Sequence, residues 1–141
     1  MRATPPKTVD PVRFGLIQPR PGATMDNGCE NRQDDIVWDF SWSPVEGATQ
    51  YHLYVIGANA VIPVIDNAMI PGTVFHYVNP KNFIPAGDRF GWTWKVRALV
   101  NGVWSDWSAK RSFNVEPLNA DCSGLDQGKP DLPAPDPSVL N

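Results

Sequence analysis

Cysteine is scarce in this chain: 141 residues contain two, Cys29 and Cys122. Two cysteines cannot build a structural zinc site alone, and His52 and His76 stand at no recognised ligand spacing, so no metal is expected. No apolar run approaches the roughly 18 residues that cross a bilayer as a helix. The opening Met-Arg-Ala-Thr-Pro-Pro-Lys lacks the apolar core of a secretory signal. Charge is modest, with a net −3 and no dominant basic cluster, which argues against a nucleic-acid partner. There is no Gly-x-Ser-x-Gly, no His-Glu-x-x-His and no phosphate loop. Asp39 and Glu46 are the only carboxylates worth imagining as a working pair, and solvated charges describe them better. His52 and His76 are expected on sheet faces. The sequence therefore predicts a non-enzymatic protein with no cofactor.

What is abundant is proline, glycine and tryptophan: fifteen, eleven and six. With 42% hydrophobic residues, this composition belongs to a globular, turn-rich β protein. The clearest stretch is Trp92 to Ser108. Trp92, Trp94, Val96 and Ala98 alternate with Thr93, Lys95, Arg97 and Leu99, the period of a half-buried strand. Asn101-Gly102 follows, a turn pair in which both residues tolerate positive φ. Trp104-Ser105-Asp106-Trp107-Ser108 then returns. Its indoles are placed to fold over the outward cations Lys95 and Arg97, a stacking worth about 0.5–1 kcal/mol per exposed pair.

The rest of the chain is legible in the same way. Residues 1–11 carry three prolines and no apolar period, and read as an extended arm. Val12 to Ile17 is expected as the first strand, stopped by Pro19-Arg20-Pro21-Gly22. Residues 22–35 read as a long polar loop. Its oxygen-rich set (Asp26, Asn27, Glu30, Asn31, Asp34, Asp35) fits no EF-hand spacing and reads as solvated. Ile36 to Trp42 is a strand with Ile36, Trp38, Phe40 and Trp42 on one face. Pro44 ends it, Gly47 turns, and Tyr51 re-enters the core to begin a strand to Ile56. Ala60 to Asp66 contains Pro63 and is assigned to an edge strand. Met69 to Gly72 is expected as a turn, Thr73 to Val78 as a strand, and Asn79 to Asp88 as a loop with Phe83 or Ile84 plugging the core. Arg111 to Val115 is the last strand. From Pro117 on, prolines alternate with Asp121, Asp126, Asp131 and Asp136, with only Lys129 opposing. Such a segment buries too little to offset its ordering entropy alone.

Two stretches resemble a known family. Trp42-Ser43-Pro44-Val45-Glu46-Gly47-Ala48-Thr49-Gln50-Tyr51 and the Trp104–Ser108 box resemble fibronectin type III modules, and the latter resembles the WSxWS box of cytokine-receptor modules and related bacterial and phage-type modules. The resemblance implies a seven-stranded antiparallel immunoglobulin-like sandwich over 12–117, flanked by arms at 1–11 and 118–141. In that family a Tyr hydroxyl ties down a corner where Phe90 or Trp92 stands here, and the Trp92 indole N–H is the substitute donor on offer. The family topology also brings Cys29 and Cys122 to one pole. That implies a disulfide, worth about 4–5 kcal/mol on a chain-entropy account, with two free thiols as the alternative. The outer sheet face carrying Tyr54, Lys95, Arg97, Trp104 and Trp107 is the candidate binding surface, although in the family these rings and cations brace one another. A full cytokine receptor is not implied, since paired modules, an anchor and glycosylation sequons are all missing. The expected role is a structural or adhesion subunit, of a virion or at a cell surface, joined to protein partners or to itself through its arms. The alternative is a secreted bacterial module binding a surface polysaccharide or a protein.

Overall fold

The structure is a computed structural model that describes residues 15–119. Among these, nine strands form two facing sheets, with a 3-10 turn at Ala86–Asp88. In chain order they are β1 (Leu16–Gln18), β2 (Ala23–Met25), β3 (Ile36–Trp42), β4 (Ala48–Ile56), β5 (Ile65–Ile70), β6 (Val74–Asn79), β7 (Trp92–Val100), β8 (Val103–Trp104) and β9 (Arg111–Val115). One sheet runs β1-β3-β6 and the other β2-β9-β7-β4-β5, with β8 paired to β7. No helix among the described residues is long and apolar enough to cross a membrane.

The all-β expectation holds, but the strand count and orientation do not. Nine strands replace seven, and β2 lies parallel to β9 rather than antiparallel, pairing Ala23 with Phe113 and Met25 with Val115. The reason lies in Pro19, Pro21 and Gly22. β1 pairs with β3, but two prolines lack the N–H groups to extend that ladder. Gly22, at φ +75°, then swings the chain across to the other sheet. There Gly22 donates its N–H to the Ser112 carbonyl and β2 continues in the direction of β1. A stretch expected as loop thus contains a strand too short to show alternation. The edge strand expected over 60–66 is present but lies later, sharing only residues 65 and 66 with that span. Residues 60–63 stay out of the ladder, Pro63 having no N–H to give; Val64 donates to the Val55 carbonyl, and the edge strand β5 starts at Ile65 and takes in Met69 and Ile70, so the turn shrinks to Pro71-Gly72. Val12 to Phe14 of the expected first strand, the arm 1–11 and nearly all of 118–141 lie outside the described residues.

The core sits between the sheets and is mostly aromatic. β3 contributes Ile36, Trp38, Phe40 and Trp42, all buried, while Val37 and Asp39 face out. From the other sheet come Tyr51, Leu53, Val55, Trp92, Trp94, Val96 and Phe113. The rings meet edge to face across the gap: Trp38 with Phe113 at 5.3 Å, Trp38 with Trp92 at 5.4 Å and Phe40 with Trp94 at 5.2 Å. Such pairs add about 0.5–1.5 kcal/mol each beyond burial. The indole N–H groups of Trp42 and Trp94 are buried without a partner, so shape rather than polarity explains those two tryptophans. Tyr51, by contrast, uses its hydroxyl to accept the Val45 N–H at 2.9 Å, pinning the turn between β3 and β4. Trp92 donates its indole N–H to the Asp88 carbonyl at 2.7 Å, filling the corner role that no hydroxyl could.

β3 gives the molecule two ends. Its start, Ile36, adjoins the loops 26–35 and 80–91, which are closed by Ile84. Its finish, Trp42, adjoins Ser43, whose N–H bonds the Gly15 carbonyl at 2.8 Å. At the first end Asn27 is fully buried. Its Oδ1 accepts the N–H of Ile84, and its Nδ2 donates to the carbonyls of Ile84 and Glu116. Asn119, the last described residue, donates to the Asn27 carbonyl, to Asp34 and, through its backbone, to the Gly28 carbonyl. Cys29 is buried beside them and is not a free cysteine, while its expected partner Cys122 lies outside the described residues.

Gly28 is the tightest point of this end: a Cβ there would collide with the Asn82 carbonyl oxygen. Gly28→Ala should therefore destabilise the domain by about 1–3 kcal/mol, the usual cost of overpacking. Chemical denaturation of the two proteins measures it, and equal midpoints would show that the loops are loosely held.

Candidate functional site

The predicted surface residues come together as one ladder. β4 and β7 are neighbours, with His52 opposite Arg97 and Tyr54 opposite Lys95. Alternation sends these four to the outer face. The Asn101-Gly102 turn, both residues at positive φ, then brings Trp104 opposite Leu99 and lays the following segment over that face. The order is Trp104, Arg97, Trp107, Lys95, Tyr54. The Arg97 guanidinium lies 4.7 Å from the Trp104 ring and 4.6 Å from that of Trp107. The Lys95 ammonium lies 4.5 Å from the Trp107 ring and 5.2 Å from that of Tyr54.

The serines explain why the segment lies so flat. Ser105 donates its N–H to the Ala98 carbonyl and accepts the Ala98 N–H on its hydroxyl; Ser108 does the same with Val96. A hydroxyl two residues off the sheet ladder thus stands in for a missing strand. Beneath the rings His52 is buried, 4.7 Å from the Trp107 ring. Its Nδ1 accepts from Arg97 Nε at 3.1 Å, which places the ring proton on Nε2, toward Asp66 at 2.6 Å. Sequence reasoning missed Asp66 and the buried state of His52, because neither signal is local: Asp66 arrives from β5. His76, on the other sheet, meets Asp39 at 2.7 Å in an exposed pair.

Each ladder cation is thus spent on rings of the same chain. The arrangement stiffens the β7–β8 return and leaves few free donors for a ligand. Arg97 faces two indoles and His52, so Arg97→Ala should lower stability by about 1–3 kcal/mol through lost stacking and an orphaned imidazole nitrogen. A thermal melt reads this, and an unchanged melt would mean the ladder is decoration.

The loop oxygens act as caps rather than as a ligand set. Asp26 accepts the Val37 N–H at 2.8 Å, Asp35 accepts the Lys81 N–H, and Asp34 accepts from Asn119. No group of three or more His, Cys, Asp or Glu among the described residues could hold a metal ion. Burial pushes the Asp26 carboxyl up to about 7, partly offset by the Val37 hydrogen bond and reinforced by the Glu116 and Asp34 charges. A carboxyl raised in the folded state favours folding while it is protonated. That contribution is complete below the ordinary carboxylate range and is lost as pH rises through about 7. Stability should therefore fall between pH 4 and pH 8, and Asp26→Asn should flatten the slope; thermal melts across this range check it.

Comparison with protein families and with curated proteins gave no match. Among solved structures, the chain is similar to a Fn3-like protein from Clostridium thermocellum, at 16% identity and a TM-score of 0.41, over 73% of this chain and 99% of that one.

Proposed function

We propose that this chain is a non-enzymatic structural protein. It is a fibronectin type III-like module that serves as an accessory subunit of an extracellular or virion assembly, joined to its neighbours by the segments on either side of the domain. The observation that carries this reading is where those segments attach. Gly15 is tied to Ser43 at the finish of β3, while Asn119 is tied to Gly28 and Asn27 beside its start. The flanking segments therefore leave from opposite ends of the sandwich. A subunit so built reaches one neighbour from each end while its own core and ladder stay complete. The ladder supports the same reading from the other side. The aromatic face that would suit a polysaccharide is already occupied by Arg97 and Lys95, which makes it a brace first.

Light scattering on the purified full chain tests this. The full chain should give species heavier than its 15.6 kDa. Deleting 1–11 together with everything after Cys122, so that the Asn119 clasp and both cysteines are kept, should lower that mass to a monomer's without changing the melt. A full chain that stays at 15.6 kDa at every concentration would sink the reading.

A further inference from the structure

A half-open cleft of about 260 Å³ lies at the end from which the chain leaves toward its C-terminus. Gly57, Ala58, Asp88, Phe90 and Trp92 line it. Phe90 is 60% exposed at its rim, and Val61 and Ile62, just beyond Ala60 in the chain, are exposed as well. The Arg89 guanidinium lies over the Phe90 ring at 4.7 Å. The cleft thus offers an aromatic wall, a small-residue floor where Gly57 lies against the Trp92 indole, an anion at Asp88 and, at the rim beside Phe90, the Arg89 cation.

We infer that this cleft receives Lys129-Pro130-Asp131-Leu132-Pro133 from a second copy of the chain. The inference rests on the arm reading above and names one arm's seat. Three observations choose this occupant. First, Pro130 and Pro133 have the Pro-x-x-Pro spacing that puts two rings on one edge of a three-residue-per-turn polyproline helix, the form that docks aromatic-lined grooves. Second, the charges match in order: Lys129 meets Asp88, and Asp131 meets Arg89. Third, the reach suffices. Asn119 is fixed at this same end, where the Val115 N–H bonds the Arg89 carbonyl. The eleven residues from there to Pro130 span at most roughly 36 Å. Reciprocal exchange at one end closes into a two-fold dimer, with each tail in the other copy's cleft. Leu132 then meets Val61 and Ile62. The opposite end, with residues 1–14, stays available to other subunits.

The test uses the full chain. Light scattering should show a concentration-dependent species at twice 15.6 kDa. Phe90→Ala, and Pro130→Ala with Pro133→Ala, should each weaken it by about tenfold or more, as loss of an interface anchor does. Asp88→Lys should weaken it too, and adding Lys129→Glu to the same chain should restore it; a merely structural role for Asp88 predicts no such rescue. Unchanged melts confirm that the variants fold. A dimer lost on deletion from 123 but indifferent to Phe90→Ala and to the charge exchange overturns the cleft and leaves the arm reading standing. A species larger than a dimer that these variants leave intact does the same. A chain that never associates overturns both.

Discussion

The rings of Trp38, Phe40, Trp94 and Phe113 meeting edge to face between two sheets are what this molecule depends on. Removing one such ring typically costs about 3–5 kcal/mol, comparable to the whole stability of a modest domain. The three-stranded sheet is small, and only β3 contributes a full row of buried side chains to it. That row must therefore be bulky. Two of its tryptophans bridge the space to β4, β7 and β9, and Trp42 accepts an unpartnered N–H as the cost of filling its volume. Everything at the surface is hung on this contact: the ladder on the back of β7, the capped loops on the start of β3.

The two ends of the sandwich are built by different means. At the finish of β3 a hydroxyl and a few backbone bonds suffice, through Ser43 and Tyr51. At its start, Asn27, Asp26, Glu116 and Asn119 form a polar knot in which side chains satisfy loop amides. Long loops need such substitutes because they have no ladder partners of their own. The knot also fixes where the chain leaves the domain. The exit is therefore as well defined as a strand, and its direction is a property of the fold.

Much of this was readable in the sequence. The alternation in 36–42 and 92–98 announced which side chains face inward, and the Asn101-Gly102 pair announced the return that creates the ladder. Tyr54, Lys95, Arg97, Trp104 and Trp107 lie together because period-two spacing is a strong local rule. What escaped was non-local. Three residues at Ala23–Met25 are too few to show a period, and their pairing is decided by β9, far along the chain. Asn27 looked like any loop residue, since its role depends on Ile84 and Glu116. Pro63 was weighed as a mark of an edge strand, yet its missing N–H displaced the strand toward residue 65. The Asp66 partner of His52 was invisible for the same reason: only the sheet brings β5 beside β4.

The parallel clasp of β2 on β9 has a consequence for how the chain comes to be made. Synthesis proceeds from the N-terminus, so β2 emerges well before β9. Among the described residues its only ladder partner is β9, the last strand there. Until residue 115 has cleared the ribosome, the six-stranded sheet has a gap in its middle order and Trp92 lacks the Phe113 ring against which it stacks. The nascent domain must hold its indoles out of harm until that strand arrives, and a growing polypeptide cut short before Arg111 would present a sticky, half-covered aromatic slab to every neighbour it meets.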